Sequence, residues 1–86
     1  MTKREKTKLR KAVEESWEIE DKEMAGNTAF ALFEAAGVYT NPKMAKAFWR
    51  WDGRNKQIGK QDYKTEAAGF RSFRLNDMRL LKDIGA

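Results

Sequence analysis

Residues 42–75 read PKMAKAFWRWDGRNKQIGKQDYKTEAAGFRSFRL, and whether the middle of this stretch is helix, loop or hairpin decides the fold. At about 100° per residue, Lys43, Lys46 and Arg50 fall on one narrow stripe. Met44, Ala47, Phe48 and Trp51 fall on the opposite side, and Trp49 lies on the flank of the polar stripe. This spacing predicts an amphipathic helix over 42–51, capped by Thr40 or Asn41, with Pro42 at the first helical position where no N–H is needed. Asp52-Gly53 is a turn signal. Residues 54–61, RNKQIGKQ, are polar apart from Ile58 and read first as a flexible basic loop. The alternative is an α+β fold with a hairpin at about 48–58, in which Phe48–Trp51 and Lys56–Ile58 flank Asp52-Gly53.

Toward the C-terminus, Asp62 or Thr65 starts a helix over about 64–74 with Tyr63, Ala67, Phe70 and Phe73 along one side. Gly69 in its middle costs about 1 kcal/mol relative to alanine. Asn76 or Asp77 then caps a last helix, 77–84, that buries Met78, Leu81 and Ile84 and ends at Gly85. Toward the N-terminus, Asn27 caps a short helix over 28–36 that is apolar nearly all round, with Phe30, Leu32 and Phe33, and that ends at Gly37. A helix apolar on every side belongs at the centre of a core. Leu9, Val13 and Trp17 recur at steps of four, with Ala12 and Met24 on the same broad side, and predict a helix over about 5–25. Residues 1–8 lack apolar periodicity and are expected to form a frayed basic arm. The expected fold is therefore all-α: a small single-domain bundle of four to five helices, with 9–25, 42–51, 64–74 and 77–84 packed round 28–36.

Composition narrows the function. The 86 residues contain no cysteine and no histidine, which removes thiolate metal sites, the usual zinc ligand and the usual general base. Ser16 and Ser72 have no histidine to activate them, and the Gly-containing segments GRNKQIGK and AGF lack phosphate-loop spacing. The chain reads as a non-enzyme without a cofactor. No apolar run approaches the roughly 20 residues that a membrane span needs. A basic N-terminus followed by acidic helix does not resemble a secretion signal, so a cytoplasmic location is expected. Leu, Ile, Val and Phe are few, which predicts a thin core and makes a homodimer or a partner-stabilised state plausible.

The net charge of +5 is unevenly spread. Residues 1–13 carry six bases and one acid, residues 14–23 carry six acids and Lys22, and residues 42–75 carry nine bases against Asp52, Asp62 and Glu66. Cations interleaved with rings suit a polyanion whose bases can stack. The candidate binding residues are Lys43, Lys46, Trp49, Arg50, Arg54, Lys56, Lys60, Lys64, Arg71 and Arg74. Lysine and arginine would hold phosphates without reading sequence. Trp49 would stack a base, and Arg71 with Arg74 would form a second wall. The leading expectation is nucleic-acid binding, with DNA ahead of RNA. The alternative is a small inhibitor or adaptor that docks on an acidic surface of a larger protein, such as a nucleic-acid enzyme, with Trp49 and Arg50 or Arg54 as its hot spot. Against both stands a bland reading, in which the rings are core and the cations are a solvated rim, partly neutralised by the acidic belt 14–23.

Residues 28–51 also resemble a helix-turn-helix, with Ala36-Gly37-Val38 at the turn. The resemblance implies that helix 42–51 enters the major groove and presents Lys43, Lys46 and Arg50. Phe33, Lys43 and Lys46 depart from the small and apolar residues usual at those positions, so membership is not claimed.

Overall fold

The computed structural model describes residues 1–61 and 63–86, and its regular elements are four helices: α1 (Lys3–Ser16), α2 (Lys22–Ala35), α3 (Ala45–Lys60) and α4 (Glu66–Asp83). Among the described residues there is no strand. The expected all-α class holds, and the hairpin alternative does not.

The middle of the decisive stretch is helical, from Ala45 to Lys60. α3 runs straight through Asp52-Gly53, so residues 54–60, expected as a loop, continue the helix. The inward positions explain this. Phe48 and Trp51 are buried, and Asn55 is tied to Asn76 of α4, so packing against α4 outweighs the cost of about 1 kcal/mol for a mid-helix glycine. Asn41 does act at the start: its side chain accepts from Lys43 N–H at 2.9 Å and its carbonyl accepts from Met44 and Ala45. Pro42 lies in the resulting turn, and the helix proper begins three residues later than expected. A Cβ built at Gly53 meets nothing within 4 Å. Gly53→Ala should therefore raise the unfolding free energy by about 0.5–1 kcal/mol, as read by urea denaturation. A loss instead would indicate a turn at this position.

Three other boundaries differ from expectation. Helix 5–25 breaks after Ser16. The Ser16 hydroxyl bonds back to the Val13 carbonyl, residues 17–19 tighten into three-residue turns, and Asp21 caps α2 by accepting from Met24 N–H at 3.0 Å. Gly26 and Asn27, expected as punctuation and cap, lie inside α2. The expected helices 64–74 and 77–84 are one helix, because the Asn76 and Asp77 side chains are engaged in tertiary hydrogen bonds rather than capping. Thr65 is the cap, accepting from Ala68 N–H at 3.2 Å; the other expected cap, Asp62, lies outside the described residues. The expected frayed arm is helical from Lys3, where Thr2 and Glu5 form a reciprocal capping box with bonds of 3.1 Å. Those bonds, that to the Thr2 backbone above all, hold the Glu5 carboxyl below its ordinary range.

Gly37 and Gly85 end α2 and α4 as expected, at φ of 72° and 77°, a left-handed conformation that side-chain-bearing residues adopt at a cost. Gly69 has a different role. The Tyr63 ring lies where its Cβ would be, at 3.1 Å.

α1 packs on α2, α3 packs on α4, and α4 also touches α2. The core joins Leu9 and Val13 of α1, Phe33 of α2, Val38 of the connection after it, Phe48 and Trp51 of α3, Leu80 and Leu81 of α4, and Ile84 just past its end. Met24, Phe30 and Met78, expected inside, are exposed. Met24 follows the break after α1 and is carried onto the outer side of α2. Met78 falls outside the inward stripe once α4 is continuous. Phe30 covers the rings of Phe48 and Trp51 from the solvent side, at 5.6 and 6.0 Å. The helix-turn-helix resemblance fails on geometry: residues 36–44 separate α2 from α3, where that motif has a turn of three or four residues.

Candidate nucleic-acid interface

Continuity of α3 brings residues together that a loop would have scattered. On one helix, Lys46, Trp49, Arg50, Arg54, Lys56 and Lys60 share an arc of about 160°. Lys46 and Lys60 are about 21 Å apart along the axis. Arg54 is half-buried, the others are exposed, and exposed Lys43 stands in the turn that leads into α3. The only acid on α3, Asp52, bonds Lys56 at 3.1 Å. Among the described residues this is the single ion pair, so the acidic belt of residues 14–23 does not neutralise the α3 cations.

Trp49 is 58% exposed and sets its indole edge-on to the buried Phe48 ring at 5.2 Å. Tyr39 and Phe30, each 38% exposed, also reach Phe48, at 5.6 Å each. Three part-exposed rings thus share one buried support beside the cationic face.

The remaining candidate residues are elsewhere. Lys64 is exposed between α3 and α4, and Arg71 and Arg74 are exposed on α4. Arg74 is laid over Trp17 at 5.1 Å and over Phe70 at 5.9 Å, with Lys22 over the same Phe70 ring at 3.7 Å. Arg54 shares a cleft between α3 and α4 with Gln57, Ser72, Asn76 and Arg79. Arg79 was missed. Ser72, Asn76 and Arg79 form a polar stripe at helical spacing, which is visible only if 66–83 is read as one helix.

No family model matches this chain, and neither a curated protein nor a solved structure does. The chemistry is therefore read from the residues alone. Among the described residues no helix is long and apolar enough to cross a membrane, and no group of three His, Cys, Asp or Glu side chains is placed to hold a metal.

The other residue that sequence reading missed is Asp77, 6% exposed. Its carboxylate accepts the indole N–H of Trp17 on Oδ2 and of Trp51 on Oδ1, each at 2.9 Å. Neighbouring Asn76, 3% exposed, donates to the Trp51 carbonyl at 3.0 Å and to the Asn55 side chain. A sequence signal existed. A buried tryptophan needs an acceptor, and Phe70, Phe73, Asp77 and Leu80 form one stripe once the helix is continuous. Burial pushes the Asp77 carboxyl up, and the two indole bonds oppose this only in part. A raised folded value means that folding favours the neutral acid. The group's contribution is full below the ordinary carboxylate range and is lost as pH rises through the folded value. The stability gap between the native chain and Asp77→Asn should therefore be wider at about pH 3 than at about pH 7, measured by urea unfolding. The opposite trend would mean that the indole bonds, not burial, dominate.

Proposed function

We propose that the protein binds nucleic acid, DNA ahead of RNA, through the outer face of α3. The observation that carries this reading is the run of cations along about 21 Å of one helix face, with an exposed indole among them and one acid, Asp52, on that helix. A strand of duplex offers a phosphate about every 3.4 Å of axis, so this face spans about six phosphates. A helix about 10–12 Å across fits the roughly 12 Å major groove. Lys43, Lys46, Arg50, Arg54 and Lys60 would contact phosphates, which gives affinity without sequence preference. Lys56 joins them where phosphate outcompetes Asp52. Trp49 would stack an unpaired base. Binding needs no catalytic group and no cofactor.

Titration of labelled duplex and single-stranded oligonucleotides across a salt series tests this. With five phosphate contacts, log K should fall by about 3.5–4.5 per log unit of salt. A flat salt dependence would overturn the proposal.

The exposed rings of Phe30, Tyr39 and Trp49 around Phe48 favour one rival, a protein partner with an acidic surface. There Trp49 with Arg50 or Arg54 would be the anchor and the cations would steer association. A partner retained on the immobilised protein after nuclease treatment, with no salt-sensitive oligonucleotide binding, would support the rival.

A further inference from the structure

A cavity of about 230 Å³ opens between α2, α3 and α4, on the inner side of α3. Five rings line it: Trp17, Phe30, Trp51, Phe70 and Phe73. A dry cavity of about 150 Å³ already holds benzene, so this one has room for a substituted ring.

Its charges are arranged in two layers. In the wall, the Asp77 carboxylate holds two neutral indole donors, and among the described residues no Lys or Arg nitrogen lies within 4 Å of it. On the same lining, Lys22 and Arg74 lie over the faces of Phe70 and Trp17 and make no ion pair among the described residues. A purely cationic guest is repelled by Lys22 and Arg74, and a purely anionic one by Asp77. A guest with an ammonium and an acid group a few bonds apart satisfies all three charges and lays its apolar body on the rings. Arg74 and Asp77 stand three residues apart on α4, about 5–6 Å between Cβ atoms, which suits the short separation of those two groups in a free amino acid.

We propose that this cavity binds a small zwitterion with an aromatic body, of the free aromatic amino-acid class, with its ammonium on Asp77 and its carboxylate between Lys22 and Arg74. Burial without a cationic partner pushes the Asp77 carboxyl up, and a bound ammonium reverses that cost. The site is independent of the α3 face, none of whose exposed cations lines the cavity.

The three indole N–H resonances report the outcome directly, because Trp17 and Trp51 line the cavity and Trp49 does not. L-phenylalanine should shift the Trp17 and Trp51 signals saturably and leave Trp49 in place. It should bind about tenfold or more tighter than phenethylammonium, which lacks the acid, and 3-phenylpropanoate, which lacks the ammonium. Arg74→Gln with Lys22→Gln changes one exposed and one half-buried side chain, neither in the buried core, and should bring phenylalanine down to the level of phenethylammonium while the urea midpoint changes little. Equal binding of all three probes and toluene would reduce the site to an unselective apolar hole and overturn the proposal. So would an absence of shifts up to about 10 mM, or movement of Trp49 together with the other two.

Discussion

Asp77→Ala should lower the unfolding free energy by about 2–4 kcal/mol and the Tm by about 10–25 °C. The substitution leaves the indole N–H groups of Trp17, part-buried, and Trp51, buried, without their acceptor. Each unsatisfied buried donor costs about 1–3 kcal/mol. Part of the loss is offset, because a buried carboxylate without a cationic partner is itself unfavourable. Total stability for a domain of this size is about 5–15 kcal/mol, so the change is a large share of it. The effect reaches beyond one contact. The Asp77 carboxylate bridges the chain just after α1, the middle of α3 and the middle of α4, so its removal frees three segments at once. Asp83→Ala, at an exposed acid of the same helix, serves as control and should stay within about 0.5 kcal/mol. If the two variants unfold alike in urea, the tryptophans do not depend on this carboxylate.

Reversing Lys46 and Arg50 together to glutamate should weaken oligonucleotide binding by about 100-fold at moderate salt. The slope of log K against log salt should shrink by about 1.4–1.8. The two side chains are exposed, one turn apart and, among the described residues, free of ion pairs, so the fold should be nearly unaffected. The control is Lys8→Glu with Lys11→Glu, which makes the same change in net charge on the exposed face of α1. An equal loss in both double variants would mean that overall charge holds the polyanion, and α3 would no longer be the interface. Trp49→Ala separates the modes of binding. It should reduce single-strand affinity by about 1–3 kcal/mol for a stacked base and leave duplex affinity largely intact.

Much of α3 could be read in advance from residues 42–51 alone. The cationic stripe, the inward Phe48 and Trp51 and the exposed Trp49 follow from which side chains share a turn, and the structure has them so. Arg54, Lys56 and Lys60 stand out in the sequence by charge alone, in a segment whose local signals read as a loop. The helix places them on the same face as Lys46, a geometry that their composition did not contain. Arg74 shows the converse. Its charge matched the others, yet its guanidinium covers the rim of a cavity whose rings come from four parts of the chain.

Helical class, the stops at Gly37 and Gly85 and the cap at Thr65 were determined by local chemistry, because periodicity and capping act over one or two turns. Whether Asp52-Gly53 and Asn76-Asp77 interrupt a helix or continue one was decided by tertiary structure. The local preference at such positions is worth only about 1 kcal/mol. The contacts that overrule it join residues 26 and 60 positions apart, the Asp77 carboxylate with Trp51 and Trp17. No window along the chain contains both ends of those bonds. The length of the cationic face and the existence of the aromatic cavity therefore emerge only when α4 closes on the rest.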